Sequence, residues 1–182
     1  VLNKLIDDEL ETTPYKIEYA DYKTIFFRNN ATLIKCQNAE MQGIADLGKM
    51  NCSYMQGSII SEINFNSTNS FAVIGNNMHE TNNKDDYESE IYMLDTSNGK
   101  FFTITKGNML NMADSWSFNG RYYVIAERNI NNNILFFDAL EKKLYSIESP
   151  QIKVDSIFVS DNGKISIYGD SKIAVISNEN AD

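Results

Sequence analysis

Histidine is nearly absent from this chain of 182 residues, His79 being the single one. A Ser-His-Asp or Cys-His arrangement needs an imidazole beside its nucleophile, and catalytic zinc and non-haem iron sites draw on several, so most of that chemistry has no base or ligand set here. His79 lies in the polar run Asn76–Asn83, which reads as an exposed loop with no catalytic role. Cysteine is as scarce: Cys36 and Cys52 are too few for a disulfide framework, and no second pair or His cluster joins them for zinc. Their spacing leaves a single bridge between them open. Positive charge is in deficit, with 16 Lys and Arg against 25 Asp and Glu, a net charge of -9. Nucleic acid and anionic membrane surfaces would be repelled, which leaves proteins or small molecules as partners. The nine glycines are scattered through turns, so neither a Walker loop nor a dinucleotide fingerprint forms. No apolar run approaches the roughly 20 residues that span a bilayer. No charged segment followed by an apolar core marks a signal peptide at the start. The opening on Val1 instead of Met is read as the trace of a removed leader, lipoprotein signal or anchor, against an arbitrary cut.

What is present is ordinary for a globule. Hydrophobic residues make up 42% and charged residues 23%, and a domain of this length buries roughly 70% of the surface its unfolded chain exposes. Only two prolines occur, and Asn takes over much of the turn work because it tolerates positive φ.

The strongest pattern is a repeat at a spacing of roughly 40 to 50 residues, the range of propeller blades. Ile91-Tyr-Met-Leu-Asp95-Thr-Ser-Asn-Gly-Lys100, followed by Phe101-Phe-Thr-Ile-Thr, matches Ile134-Leu-Phe-Phe-Asp138-Ala-Leu-Glu-Lys-Lys143, followed by Leu144-Tyr-Ser-Ile-Glu. Each is four apolar residues, an Asp able to hold the turn backbone, a turn, a Lys and a second strand: a β-hairpin. Ahead of each hairpin stands another strand pair, Glu62–Phe65 turning into Phe71–Ile74 and Ser115–Phe118 turning into Tyr122–Ala126. The design returns in Ser156–Val159, Ile165–Tyr168 and Ile173–Ile176, and in degenerate form in Ile17–Tyr19, Ile25–Phe27 and Leu33–Cys36. Aligned on their aromatics, Phe65, Trp116 and Phe158 occupy equivalent, inward sites, so Trp116 is read as a core anchor and not a binding hot spot.

Asp114-Ser-Trp116-Ser-Phe-Asn-Gly120-Arg-Tyr122 and the weaker Val159-Ser-Asp-Asn-Gly163-Lys resemble the PD40 and TolB-like β-propeller repeats, related in shape to WD40. The resemblance covers residues 15–177. Phe118 and Asn119 stand where that family commonly has Pro and Asp, and the first copy lacks the Gly turn. The expectation is an all-β fold of about four antiparallel four-stranded blades, with repeats at about 15–49, 59–107, 110–149 and 152–178. The last copy supplies three strands, so its edge is open, blunted by Lys172 and the acidic tail, and a monomer is favoured over a strand-paired dimer. Residues 1–14 form a linker or a short amphipathic helix, with Leu2, Leu5, Ile6 and Leu10 on one face.

Carboxylates are the remaining lead. Glu80 to Glu90 gathers Asp85, Asp86, Glu88 and Glu90 with Asn82 and Asn83, oxygen ligands of the kind calcium takes, but the spacing fits no known loop and Lys84 intrudes. A solvated hairpin extension is the preferred reading. No acid pair sits in a glycosidase motif, and the sequons at Asn30, Asn51 and Asn66 are what chance yields in so Asn-rich a chain. No catalytic, cofactor or metal residue is therefore assigned. The resemblance implies a non-enzymatic, extracytoplasmic binding or sensing module. The alternative is a propeller that gates a hydrolase and is separated from its catalytic partner.

Overall fold

The computed structural model describes residues 16–20, 24–28, 32–37, 51–56, 60–80, 87–98, 100–128 and 133–177. The Val1–Leu10 segment lies outside them, as does the middle of the acidic loop. Apart from one 3-10 turn at Met109–Asn111, every regular element is a β-strand.

The strands form four antiparallel sheets in chain order. The first holds β1 (Lys16–Ala20), β2 (Thr24–Arg28), β3 (Thr32–Gln37) and β4 (Asn51–Gln56). The second holds β5 (Ile60–Phe65), β6 (Phe71–Glu80), β7 (Tyr87–Asp95) and β8 (Lys100–Lys106). The third holds β9 (Met112–Trp116), β10 (Tyr122–Glu127), β11 (Ile134–Asp138) and β12 (Lys143–Ile147). The fourth has three strands, β13 (Ser156–Val159), β14 (Ile165–Gly169) and β15 (Lys172–Ile176). Each sheet is a simple meander, the propeller-like architecture the repeat implies. Strand β4 was not foreseen, because Asn51–Gln56 alternates only briefly, through Cys52 and Tyr54, and matches no segment of the repeat. Its register sets Cys52 directly opposite Cys36. Cys36 is disulfide-bonded, and Cys52 is the chain's other cysteine.

Period-two alternation sends successive side chains to opposite faces, so a central strand serves two interfaces. In β10, Tyr123 and Ile125 pack toward the second sheet against Phe71, Val73, Ile91 and Met93. Tyr122, Val124 and Ala126 pack the other way, against Ile157, Val159, Ile165 and Ile167 of the fourth. Ala72, Ile74 and Leu94 meet Phe26 of the first sheet. The core is thus three apolar seams, each between neighbouring sheets, and burying each large aliphatic or aromatic side chain contributes roughly 1.5–3 kcal/mol.

The turn chemistry explains the repeat. Asn66, Ser117 and Ser160 each close a turn with the backbone N–H three residues on, that of Asn69, Gly120 and Gly163. Those three residues adopt φ of 55°, 74° and 76°, a left-handed conformation that Gly and Asn accept most readily. Turns also lock sheet to sheet: the Asn66 amide donates to the Gly120 carbonyl at 2.8 Å, and the Asn119 N–H to the Asp161 carboxylate at 2.8 Å.

This turn frame corrects the aromatic alignment. Ser160 is the counterpart of Ser117, so the counterpart of Trp116 is Val159, not Phe158. A slip of one residue reverses the face. Val159 is buried against the third sheet, whereas Phe158 points away and is 62% exposed.

Candidate functional site

In the second and third sheets the meanders put the tight turns at one end and the longer connections at the other, whereas in the fourth the two-residue turn at Asp170 and Ser171 closes the loop end. At the tight-turn end, the two hairpin aspartates behave alike. Asp95 accepts from the Ser97 N–H at 3.0 Å, and Asp138 from the Leu140 N–H at 2.8 Å. Asp138 also holds Arg121, at 2.9 Å, and Asp95 receives Lys142 from the next sheet, at 2.8 Å. Burial alone would raise both carboxyls. For Asp95 the bonds from Lys142 and Ser97 outweigh it, and for Asp138 those from Arg121, Glu141 and Leu140, so both sit below the usual range. Lys35 of the first sheet donates to the Thr96 carbonyl. Its ammonium is pushed down by burial, partly offset by Asp95. Lys142 and Lys35 thus join neighbouring sheets, and Arg121 with Asp138 ties strands within the third.

Between the first strands of the second and third sheets lies a second polar group. Tyr123 donates its hydroxyl to Asp114 at 3.0 Å, and the Trp116 indole N–H donates to the Asn64 carbonyl at 3.3 Å. Burial, then the Asp114 carboxylate, raises the Tyr123 phenol well above its ordinary value, so it stays protonated and donates. Trp116 is half-buried against Tyr123, with ring centroids 4.8 Å apart, in keeping with its reading as an anchor.

The loop end holds the candidate site. Between β8, β9, β10 and β11 opens a cleft of about 80 Å³ with Met112, Ile125, Ala126 and Leu135 as its apolar floor. Thr105, Lys106, Glu127 and Asn133 line its polar margin. The strand ends fix it in place: the Gly107 N–H donates to the Ser89 carbonyl at 2.7 Å and the Arg128 N–H to that of Asn111 at 2.7 Å. The Arg128 guanidinium then spans two connections, from the Met112 carbonyl at 2.7 Å to that of Asp155. Gly107 has φ 136°, and a Cβ there would stand 2.6 Å from the Met112 methyl at the cleft floor. The cleft joins an apolar floor to one cation and one anion, and its volume suits a single side chain better than a whole small ligand.

None of the cleft residues was singled out from sequence. Their signal is positional: Lys106 and Glu127 each end a strand where a variable connection begins. His79 falls within β6, opposite Glu88 in a ladder that runs out to Glu80 and Tyr87, so the run read as a loop is in part a long hairpin. Residues 81–86, with Asp85 and Asp86, lie outside the described residues. Among the described residues no group of three or more His, Cys, Asp or Glu is placed to hold a metal ion, and no helix is long and apolar enough to cross a membrane.

No protein-family model matches this chain, and no curated protein is similar to it. Solved structures are. A eukaryotic initiation factor matches over 94% of this chain and 42% of its own, at 11% identity and a TM-score of 0.62. An uncharacterized protein of Listeria monocytogenes EGD-e matches over 91% and 53%, at 8% identity and a TM-score of 0.50. TolB from Acinetobacter baumannii matches over 99% and 47%, at 16% identity and a TM-score of 0.41. Identities this low speak to fold alone, and the chain spans about half the length of each of these three structures.

Proposed function

We propose that this chain forms a propeller-type binding module that acts without catalysis, works outside the cytoplasm, and takes a side chain of a protein partner at its loop end. The observation that carries the reading is the cleft between the second and third sheets, with its apolar floor and its Lys106 and Glu127 margin. A pocket of about 80 Å³ admits one anchoring side chain, the usual centre of a protein contact. The compartment is supported by the disulfide at Cys36, a bond that persists in oxidising surroundings. The absence of catalysis is supported by the use already made of the perturbed groups: Asp95, Asp138 and Tyr123 are engaged in contacts that hold strands and sheets together.

The test is a titration of the isotope-labelled chain with N-acetyl amino-acid amides, read by amide chemical shifts. Amides with apolar or basic side chains are expected to move Thr105, Glu127 and Asn133 together, and Glu127→Lys to abolish the response to the basic ones. Shifts confined to other surfaces would refute the site, and turnover of an ester or peptide substrate by the purified chain would refute the non-enzymatic reading.

A further inference from the structure

At the tight-turn end the third sheet departs from the repeat. The second residue of the first turn is Ser67 in the second sheet, Phe118 in the third and Asp161 in the fourth. Two residues beyond the hairpin aspartates stand Ser97 in the second sheet and Leu140 in the third. Turn tips face water, so the polar residues are the ordinary choice and the third sheet is the exception at both of its turns. Phe118 is 91% exposed, the barest large apolar side chain among the described residues, and Leu140 is 75% exposed. Their turns close β9 on β10 and β11 on β12, two strand spacings or roughly 10 Å apart. A bond from the Ala139 N–H to the Arg121 carbonyl, at 2.7 Å, ties one turn to the other. The Arg121 guanidinium holds Asp138 through Nε at 3.2 Å and Nη2 at 2.9 Å, and its Nη1 meets no hydrogen-bond acceptor among the described residues. Lys142 and Lys143 follow on the second turn, both well exposed.

We propose that this end of the third sheet docks an acidic, leucine-bearing segment of a protein partner, with apolar side chains packed between Phe118 and Leu140 and carboxylates on Arg121 and Lys143. The surface lies at the opposite end of the sheet from the cleft and does not rest on it. Sheets of the stack meet face to face, so a further sheet covers a face and leaves the turn ends open. Charge selects the occupant. On these two turns the exposed charges are Arg121, Lys142 and Lys143 against Glu141, Asp138 being buried, in a chain whose net charge is -9. A short segment feels the charges within a Debye length, about 8 Å at physiological salt, and so is drawn to this basic spot. An anionic membrane faces the charge of the whole chain and is repelled. A second copy docked by the same patch would set these cations against themselves. The turn is also held before any contact is made. The Ser117 hydroxyl accepts from the Tyr122 N–H at 2.9 Å, and the bonds from Asn66 to Gly120 and from Asn119 to Asp161 brace it from both neighbouring sheets. Little ordering is left to oppose binding at Phe118.

The probe is the peptide N-acetyl-Glu-Leu-Glu-Leu-Glu-amide, titrated into the isotope-labelled chain to about 5 mM and read by amide chemical shifts, with the Lys-Leu-Lys-Leu-Lys counterpart as control. The acidic peptide should move the amides of residues 117–122 and 139–143 together, with half-saturation on the order of 1 mM, as so small a contact allows. The basic peptide should leave them in place. The double variant Phe118→Ser, Leu140→Ser carries the residues that the second sheet has at these positions, and it should weaken the response at least about tenfold while the other amides keep their shifts. Lys143→Glu, which leaves both apolar tips intact, should weaken it as well. Absence of a response at these amides overturns the proposal, as does an equal response to the basic peptide or one that the double variant retains. Stronger shifts of the same amides with phosphatidylglycerol vesicles would assign the patch to a membrane, and self-association lost in the double variant would assign it to a second copy; either result replaces the acidic segment as the occupant.

Discussion

Single residues divide sharply by which way they face. Trp116→Ala removes a half-buried indole stacked on Tyr123 and leaves the Asn64 carbonyl without its donor, so a loss of about 2–4 kcal/mol is expected. Phe158→Ala, at an exposed side chain, should change stability by no more than about 0.5 kcal/mol. Urea midpoints at low micromolar protein measure both. Equal costs would restore the aromatic alignment and reject the turn alignment. Charge follows the same logic. Asp95 and Asp138 have folded-state pKa values below the ordinary one, so on acidification the unfolded chain takes up protons first. Their stabilisation is complete above about pH 4 and is lost as pH falls through the lower folded values. The acid-side fall of the urea midpoint should therefore flatten in the double variant Asp95→Asn, Asp138→Asn, and an unchanged slope would show that other carboxylates govern it.

At the scale of elements, turns were more legible than faces. The Asp95 and Asp138 hairpins could be read directly because each aspartate bonds its own turn, a local effect that a short stretch of sequence encodes. The direction of Phe158 could not. The turn from Ser160 closes on Lys164 while that from Ser117 closes on Tyr122, so the fourth copy is one residue shorter and an alignment on aromatics slips. Strand β4 escaped for a different reason: its place depends on pairing with β3 across a connection that leaves no periodic trace. The cleft was also illegible, since Thr105, Met112, Glu127 and Asn133 meet only through the packing of two sheets. Close approach of backbones adds a further element-level expectation. A Cβ on Gly169 would lie 1.5 Å from the Lys153 carbonyl oxygen, and a backbone atom cannot swing aside as a side chain can. Gly169→Ala should therefore displace the connection before β13 and lower stability by at least about 2 kcal/mol. A thermal midpoint equal to the parent's would contradict that approach.

In the whole molecule, the apolar seams join neighbouring sheets, which makes the described structure close to a one-dimensional stack whose stability is a sum over sheets and seams. The second and third sheets each have a described seam on both sides; in the third, β10 is buried from Tyr122 through Ala126, one set of side chains in each seam. Opening any of its backbone bonds exposes both seams at once. The fourth sheet has a single seam, and β15 is its edge, with Ile173 and Val175 bare on the outer side. Local opening there costs little apolar contact. Native-state hydrogen exchange should accordingly show the amides of Tyr123, Val124 and Ile125 exchanging only through global unfolding, with a denaturant dependence equal to that of the equilibrium melt. The amides that β15 pairs with β14 should exchange through smaller openings of weak denaturant dependence. Protection of β15 equal to that of β10 would show that the fourth sheet unfolds only together with the third, and the stack would then be a single cooperative body.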